Sequence, residues 1–162
     1  MTTTFSDEKA DKAVNFIESR CRHTRGDFAG RRFRLAPWQR DGIIRPLFGT
    51  VNEHGLRQYR TAFVSRAKKN GKSAEGAAIA LYLLCEDGES GAEVYSAAAD
   101  RDQAAIVFNV AAQMVRLDPG TLQRMPGYRF DIADSVRGSG LQGTLSKSLF
   151  ETRFQLLWHN FR

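Results

Sequence analysis

The chain has 162 residues, 42% hydrophobic and 26% charged, a profile that fits one soluble globular domain with a core and leaves little room for two. Its longest mostly apolar stretch, Ala77 to Cys85, is far short of the ~20 residues a membrane span needs, and the polar, acidic start from Met1 to Lys9 does not read as a secretory signal. Two cysteines 64 residues apart and three scattered histidines (His23, His54, His159) exclude a cysteine-built zinc site and fit a reduced intracellular chain. The net charge of +6 is unevenly distributed. Residues 1–81 carry 16 Lys and Arg against 8 Asp and Glu, or +8, whereas residues 82–162 carry 8 against 10, or −2.

Ser6, followed by Asp7 and Glu8, reads as an N-cap. Ala10, Val14, Ile17 and Cys21 then repeat at helical spacing, which predicts a helix over about residues 7–21 with Cys21 on its apolar face. Between Arg20 and Arg40 lie seven arginines with Phe28, Phe33 and Trp38 interleaved and Asp27 as the single acid. Such a block suits contact with phosphates; a solvated basic face explains the same composition. Arg31 to Leu35 reads as a short extended piece. Pro37 suits the first turn of a second helix through Trp38, Ile43, Ile44 and Leu47, bent or ended near Pro46. Tyr59 to Val64 reads as a strand.

The segment Ser65-Arg66-Ala67-Lys68-Lys69-Asn70-Gly71-Lys72-Ser73 follows that strand and runs into an Ala-rich helix, Ala74 to Cys85. A Gly-Lys-Ser triplet at a strand-to-helix junction is the context of a phosphate-binding loop: backbone N–H groups cradle the phosphates, the lysine reaches the terminal ones and the serine hydroxyl completes a Mg²⁺ shell. Arg66 stands where the usual pattern has its first glycine. Ala92 to Ala97 reads as a second strand, and Asp100 with Gln103 forms a capping box opening a helix through Val107, Phe108, Ala111 and Val115. Pro119, Gly120, Pro126 and Gly127 mark a turn-rich link before a strand at Tyr128 to Ala133. This order predicts an α/β fold with a mostly parallel sheet. Hydrolysis also needs carboxylates at the end of an apolar strand. Glu86-Asp87 follows the helix after the loop, Asp100 is explained by capping, and the apolar run Phe154 to Trp158 ends in His159-Asn160.

Several stretches together resemble the large terminase subunit of tailed bacteriophages, the ATP-driven motor that packages viral DNA. They are His23 to Gly30, Leu35-Ala-Pro-Trp-Gln39, Leu47 to Gly49, Gly55 to Arg60, Lys69-Asn-Gly-Lys-Ser73, Ala78 to Leu84, Asp87-Gly-Glu89 and Gly91 to Ala104, in consistent order over about residues 20–125. The resemblance implies a three-layer P-loop NTPase-like fold, incomplete at the C-terminus, with ATP and Mg²⁺ as cofactors. It accounts for the glycine-poor loop. It implies that Gln39 reads the adenine edge, that Arg66, Ala67, Lys68, Lys69, Asn70, Gly71 and Lys72 surround the phosphates, and that Ser73 ligates Mg²⁺. It places Gln103 in a segment coupling nucleotide state to DNA movement and makes Trp38 core packing beside Gln39. Double-stranded DNA is the implied substrate, with Arg22, Arg25, Arg31, Arg32 and Arg34 as its contacts. A portal protein, a small terminase subunit, a homo-oligomeric motor and the host bacterial cytoplasm complete the setting, with no membrane partner.

On this reading residues 1–137 are the N-terminal part of the ATPase domain and 138–162 a divergent or truncated tail, without the nuclease domain that follows in the family. The chain is then expected to bind ATP and hydrolyse it little, with an open sheet edge where an acidic strand is missing. Two alternatives stand beside it. One is a non-enzymatic product that binds DNA or terminase partners through its basic half. The other is a small phosphate-loop kinase, for which Arg116, Arg124 and Arg129 supply lid arginines but no acceptor motif accompanies them.

Overall fold

The computed structural model describes residues 3–67, 69–89, 92–98, 101–118, 120, 129–131, 142–146 and 155–159. A short strand β1 (Thr4–Phe5) precedes helix α1 (Asp7–Arg20), which starts where expected: Ser6 Oγ accepts the Lys9 N–H, and Asp7 and Glu8 sit in the first turn. Its apolar face is Ala10, Ala13, Val14, Phe16 and Ile17. Cys21 at its end is fully buried, and that burial, with the carboxylate of Asp118 nearby, pushes its thiol far above the ordinary range. It is a core residue and not a reactive one.

The second helical segment is broken into three. α2 (Pro37–Gln39) passes into a π-helical turn (Arg40–Ile44), and α3 (Arg45–Gly49) follows with Pro46 in its first turn. The bend expected near Pro46 is therefore met by one wide turn, which frees the carbonyl that the proline ring would otherwise strike. α3 packs on α1. Arg45 bridges Asp7 and Asp11 across the pair, and Gly49 lies so close to Ala10 and Phe5 that an added methyl would stand 2.6–2.9 Å from them. β2 (Thr50–Val51) pairs antiparallel with β1.

β3 (Thr61–Ser65) runs into the loop and then α4 (Lys72–Cys85), whose residues Glu75 to Leu84 are all buried. A helix apolar all round belongs in the middle of a fold, and α4 sits between α1 on one side and β4 (Glu93–Ala97) and α5 (Arg101–Leu117) on the other. Phe16 and Phe48 both meet the ring of Tyr82, at 5.7 and 4.7 Å between centroids. Asp100, expected to cap α5, and Pro119, Pro126 and Gly127 lie outside the described residues. Among the described residues no helix is long and apolar enough to cross a membrane.

Three short strands follow, β5 (Arg129–Asp131), β6 (Gln142–Ser146) and β7 (Gln155–His159). The sheet departs from the parallel order expected of the sequence. β3 pairs in parallel with β7, but β4 pairs antiparallel with β6, which also pairs antiparallel with β5. For β5 and β6 the physical reason is chain length. Ten residues separate β5 from β6, fewer than the dozen or more a parallel crossover takes, so the two strands meet antiparallel. One edge of β3 is covered by β7. That strand is the apolar run Leu156 to Trp158, in register so that His159 stands beside Ser65, the last residue before the loop.

A phosphate-loop site and an arginine-rich loop

Gly71 adopts a left-handed conformation (φ +71°) as the N-cap of α4, and Lys69 does the same (φ +69°) two residues earlier. Glycine takes this conformation freely, whereas for Lys69 it is uncommon and is a mark of functional loops. The first intrahelical bond runs from Glu75 N–H to Gly71 C=O at 3.0 Å. The N–H groups of Lys72, Ser73 and Ala74 therefore have no helical acceptor. These donors and the positive end of the helix dipole gather on the loop side, which is the arrangement that receives an anion.

The loop is held by Arg66. Its guanidinium pairs with the carboxylate of Glu75, which is fully buried, and the Arg66 side chain is itself only 11% exposed. The same guanidinium lies 4.6 Å from the ring centroid of Trp38. Trp38 is thus half exposed and carries an arginine, a correction to its expected place in the core: the arginine's cation–π contact holds the ring at the surface. Arg66 C=O in turn accepts a hydrogen bond from Lys72 Nζ at 2.8 Å. The lysine is folded back across the loop.

Lys72 and Ser73 line a cavity of about 110 Å³ whose opposite wall is Ser96, Gln103, Ile106 and Val107. Ser96 Oγ donates to Ala104 C=O at 2.9 Å, tying the end of β4 to the start of α5 and so holding Gln103 across from the loop. No carboxylate lines this cavity among the described residues. Ala67, Lys69, Asn70 and Gly71 are exposed, and Lys68 lies outside the described residues. Gln39 is buried, with its Oε1 accepting the Ala36 N–H at 3.0 Å, so it closes the start of α2 besides any part in binding. The Trp38–Arg66 contact brings the turn that carries Gln39 against the start of the loop, joining two segments far apart in sequence. Arg57 and Asp87, from two further segments of the resemblance, pair at 3.1 Å, with Asp87 just past the far end of α4.

The arginine block divides in two. Arg22 pairs with Asp118 at 3.3 Å and Arg34 with Glu18 at 3.1 Å, so both are bound into the frame. Arg25, Arg31 and Arg32 are exposed and form no ion pair among the described residues. Glu75 was missed by sequence reasoning. No local pattern announces its pairing with Arg66 across the loop.

A family model described as the terminase large subunit ATPase domain matches residues 37–148. The large terminase subunit of Enterobacteria phage HK97 is 36% identical over 112 residues, covering 68% of this chain and 21% of that protein. The crystal structure of the HK97 bacteriophage large terminase matches with a TM-score of 0.57 and 31% identity, over 77% of this chain and 24% of that one. The chain thus spans about a fifth to a quarter of the length of these relatives.

Proposed function

The chain belongs to the family of terminase large-subunit ATPase domains, and on that premise we propose that it is the ATP-binding part of a motor that packages double-stranded phage DNA. The observation that carries the proposal is the loop itself: a left-handed Gly71 opening α4, with Lys72 folded over it and Ser73 on a shared cavity wall. The residues fit a Mg²⁺-nucleotide. The N–H groups at the start of α4 would meet the phosphates, Lys72 Nζ would hold a phosphate oxygen, and the Ser73 hydroxyl would ligate the metal. Bound ATP supplies the phosphoryl group whose release the motor couples to translocation. Gln103, facing the loop, both donates and accepts hydrogen bonds, which suits it to hold a water at the terminal phosphate. The parallel β3–β7 pair leading into the loop supports a P-loop NTPase-like layering. Portal protein, small terminase subunit, further copies of the chain and the host bacterial cytoplasm complete the proposal.

Two measurements test it. Titration calorimetry of the folded chain is expected to show MgATP binding preferred over MgGTP. The second lone pair of Gln39 Oε1 can accept from an adenine amino group but faces the guanine carbonyl unfavourably. Gln39→Ala should therefore erode the ATP preference more than it lowers overall affinity. Equal losses for both nucleotides would leave Gln39 as the cap of α2 alone.

A second reading, a DNA-binding module without turnover, is favoured by one observation: the cavity walls carry no carboxylate among the described residues. Hydrolysis requires a group to hold Mg²⁺ and orient water as well as a phosphate cradle. The chain alone is therefore expected to turn ATP over well below the ordinary enzyme scale of ~1 s⁻¹. Steady turnover at or above that rate by pure material would refute the expectation and send the search for the acid to Asp100 and Glu86.

A further inference from the structure

We infer that the loop from Arg22 to Arg32 is a docking site for unpaired nucleotides of DNA, with Phe28 as the face on which a base stacks and Arg25, Arg31 and Arg32 as partners of the flanking phosphates. The inference rests on the reading that the chain acts on DNA, and it adds a site and a form of substrate to it.

The loop is built to keep one shape. An antiparallel bridge joins Arg22 to Arg32, His23 N–H donates to Arg31 C=O at 2.9 Å, and Gly30 N–H donates to His23 C=O at 2.8 Å. Left-handed glycines at Gly26 and Gly30 make the reversals. At the base, Arg22 is fastened to Asp118 on one side of the loop and Arg34 to Glu18 on the other. Those pairs hold the frame and leave Arg25, Arg31 and Arg32 exposed.

On this frame Phe28 is 58% exposed, while Phe33 nearby is 4% exposed. The two phenyl rings flank His23, whose ring centroid lies 5.8 Å from Phe28 and 4.9 Å from Phe33. Partial burial holds the His23 pKa below its ordinary value, so its ring is neutral at pH 7 and serves as an aromatic floor. Arg31 stands 5.7 Å from the Phe28 centroid. Together His23, Phe28, Arg31, Arg32 and Arg34 bound an open concavity of about 430 Å³, within the ~300–1,000 Å³ range of small-ligand sites.

The lining selects the ligand class. Its charge is positive throughout, so the occupant is anionic, and its apolar part is aromatic, so the occupant has a flat π-face. Contact with duplex phosphates requires the cations alone and gives no use for an exposed phenyl ring. A base in a duplex hides its faces in the stack, whereas an unpaired base offers one, and aromatic platforms among arginines are how single strands are held.

The test uses the whole chain, fluorescence anisotropy, and three DNA probes of one length: a blunt duplex, a duplex with a single-stranded overhang, and a single strand. The overhang and single strand are expected to bind more tightly than the blunt duplex. Phe28→Ala should weaken those two about tenfold and leave the blunt duplex unchanged, while Phe28→Trp retains them. Phe28 is exposed, so its replacement does not threaten the fold. Equal loss on all three probes would make Phe28 a wedge into duplex DNA and overturn the proposal, as would no loss on any. If the blunt duplex binds while Phe28→Ala changes nothing, only this inference falls. If none of the probes binds, the DNA reading falls with it.

Discussion

Lys72→Ala is expected to lower MgATP affinity by roughly a hundredfold or more while leaving the thermal midpoint near that of the parent. The ammonium is the cation on the wall of the cavity at the start of α4. It is held 2.8 Å from the Arg66 carbonyl, half-buried and already poised over the loop. Hydrogen bonds between charged groups are worth about 1.5–3 kcal/mol each. Two of them to the β and γ phosphates amount to about 3–6 kcal/mol, which is a hundredfold at the low end. The cost to the fold is smaller. Truncation removes the donor to Arg66 C=O, a carbonyl beside an exposed loop that water can reach, so about 1 kcal/mol is the scale. Lys69, exposed and outside the cavity lining, supplies the control: Lys69→Ala should lose far less. Calorimetry finding wild-type affinity in folded Lys72→Ala would remove the phosphate-loop assignment.

The elements that position this loop were legible because they are local. α1 carries its cap, its acids and its apolar spacing in one window, and α4 follows a strand and a glycine that is left-handed for a reason the triplet suggests. What escaped depends on contacts between distant segments. The antiparallel β6 has a weak apolar pattern, Gln-Gly-Thr-Leu-Ser, and becomes a strand through pairing with β4 and β5. The apolar run Leu156 to Trp158 was legible as a strand, yet only the register shows it covering β3 with His159 at the loop end. Arg22 and Arg34 read as part of one basic face, and only the fold shows their partners Asp118 and Glu18. Charge patterning identifies a cation; it does not say whether the cation meets solvent, an acid or a ligand.

Arg66→Ala is expected to be the most destabilising single change near the site, by about 3–5 kcal/mol. Glu75 is fully buried and pairs through one oxygen with Arg66, while its Oε1 has no hydrogen-bond partner among the described residues. Removing the guanidinium strands that carboxylate inside the fold, and the expense of an uncompensated buried charge exceeds what the intact pair contributes. It also removes the cation from the face of Trp38. Against a total of ~5–15 kcal/mol for a domain, such a loss is readily seen in urea unfolding. Glu75→Gln should cost less, because Arg66 retains Trp38 and some solvent. Arg66→Met combined with Glu75→Leu should recover most of the loss by replacing both charges with apolar groups of similar bulk. The double variant also separates two roles. If the pair only stabilises the fold, it should restore nucleotide affinity together with stability. If Arg66 positions the carbonyl that docks Lys72, stability should return while MgATP affinity stays low. Arg66→Ala unfolding within about 0.5 kcal/mol of the parent would show that water or another cation reaches Glu75, and the brace assigned to Arg66 would not exist.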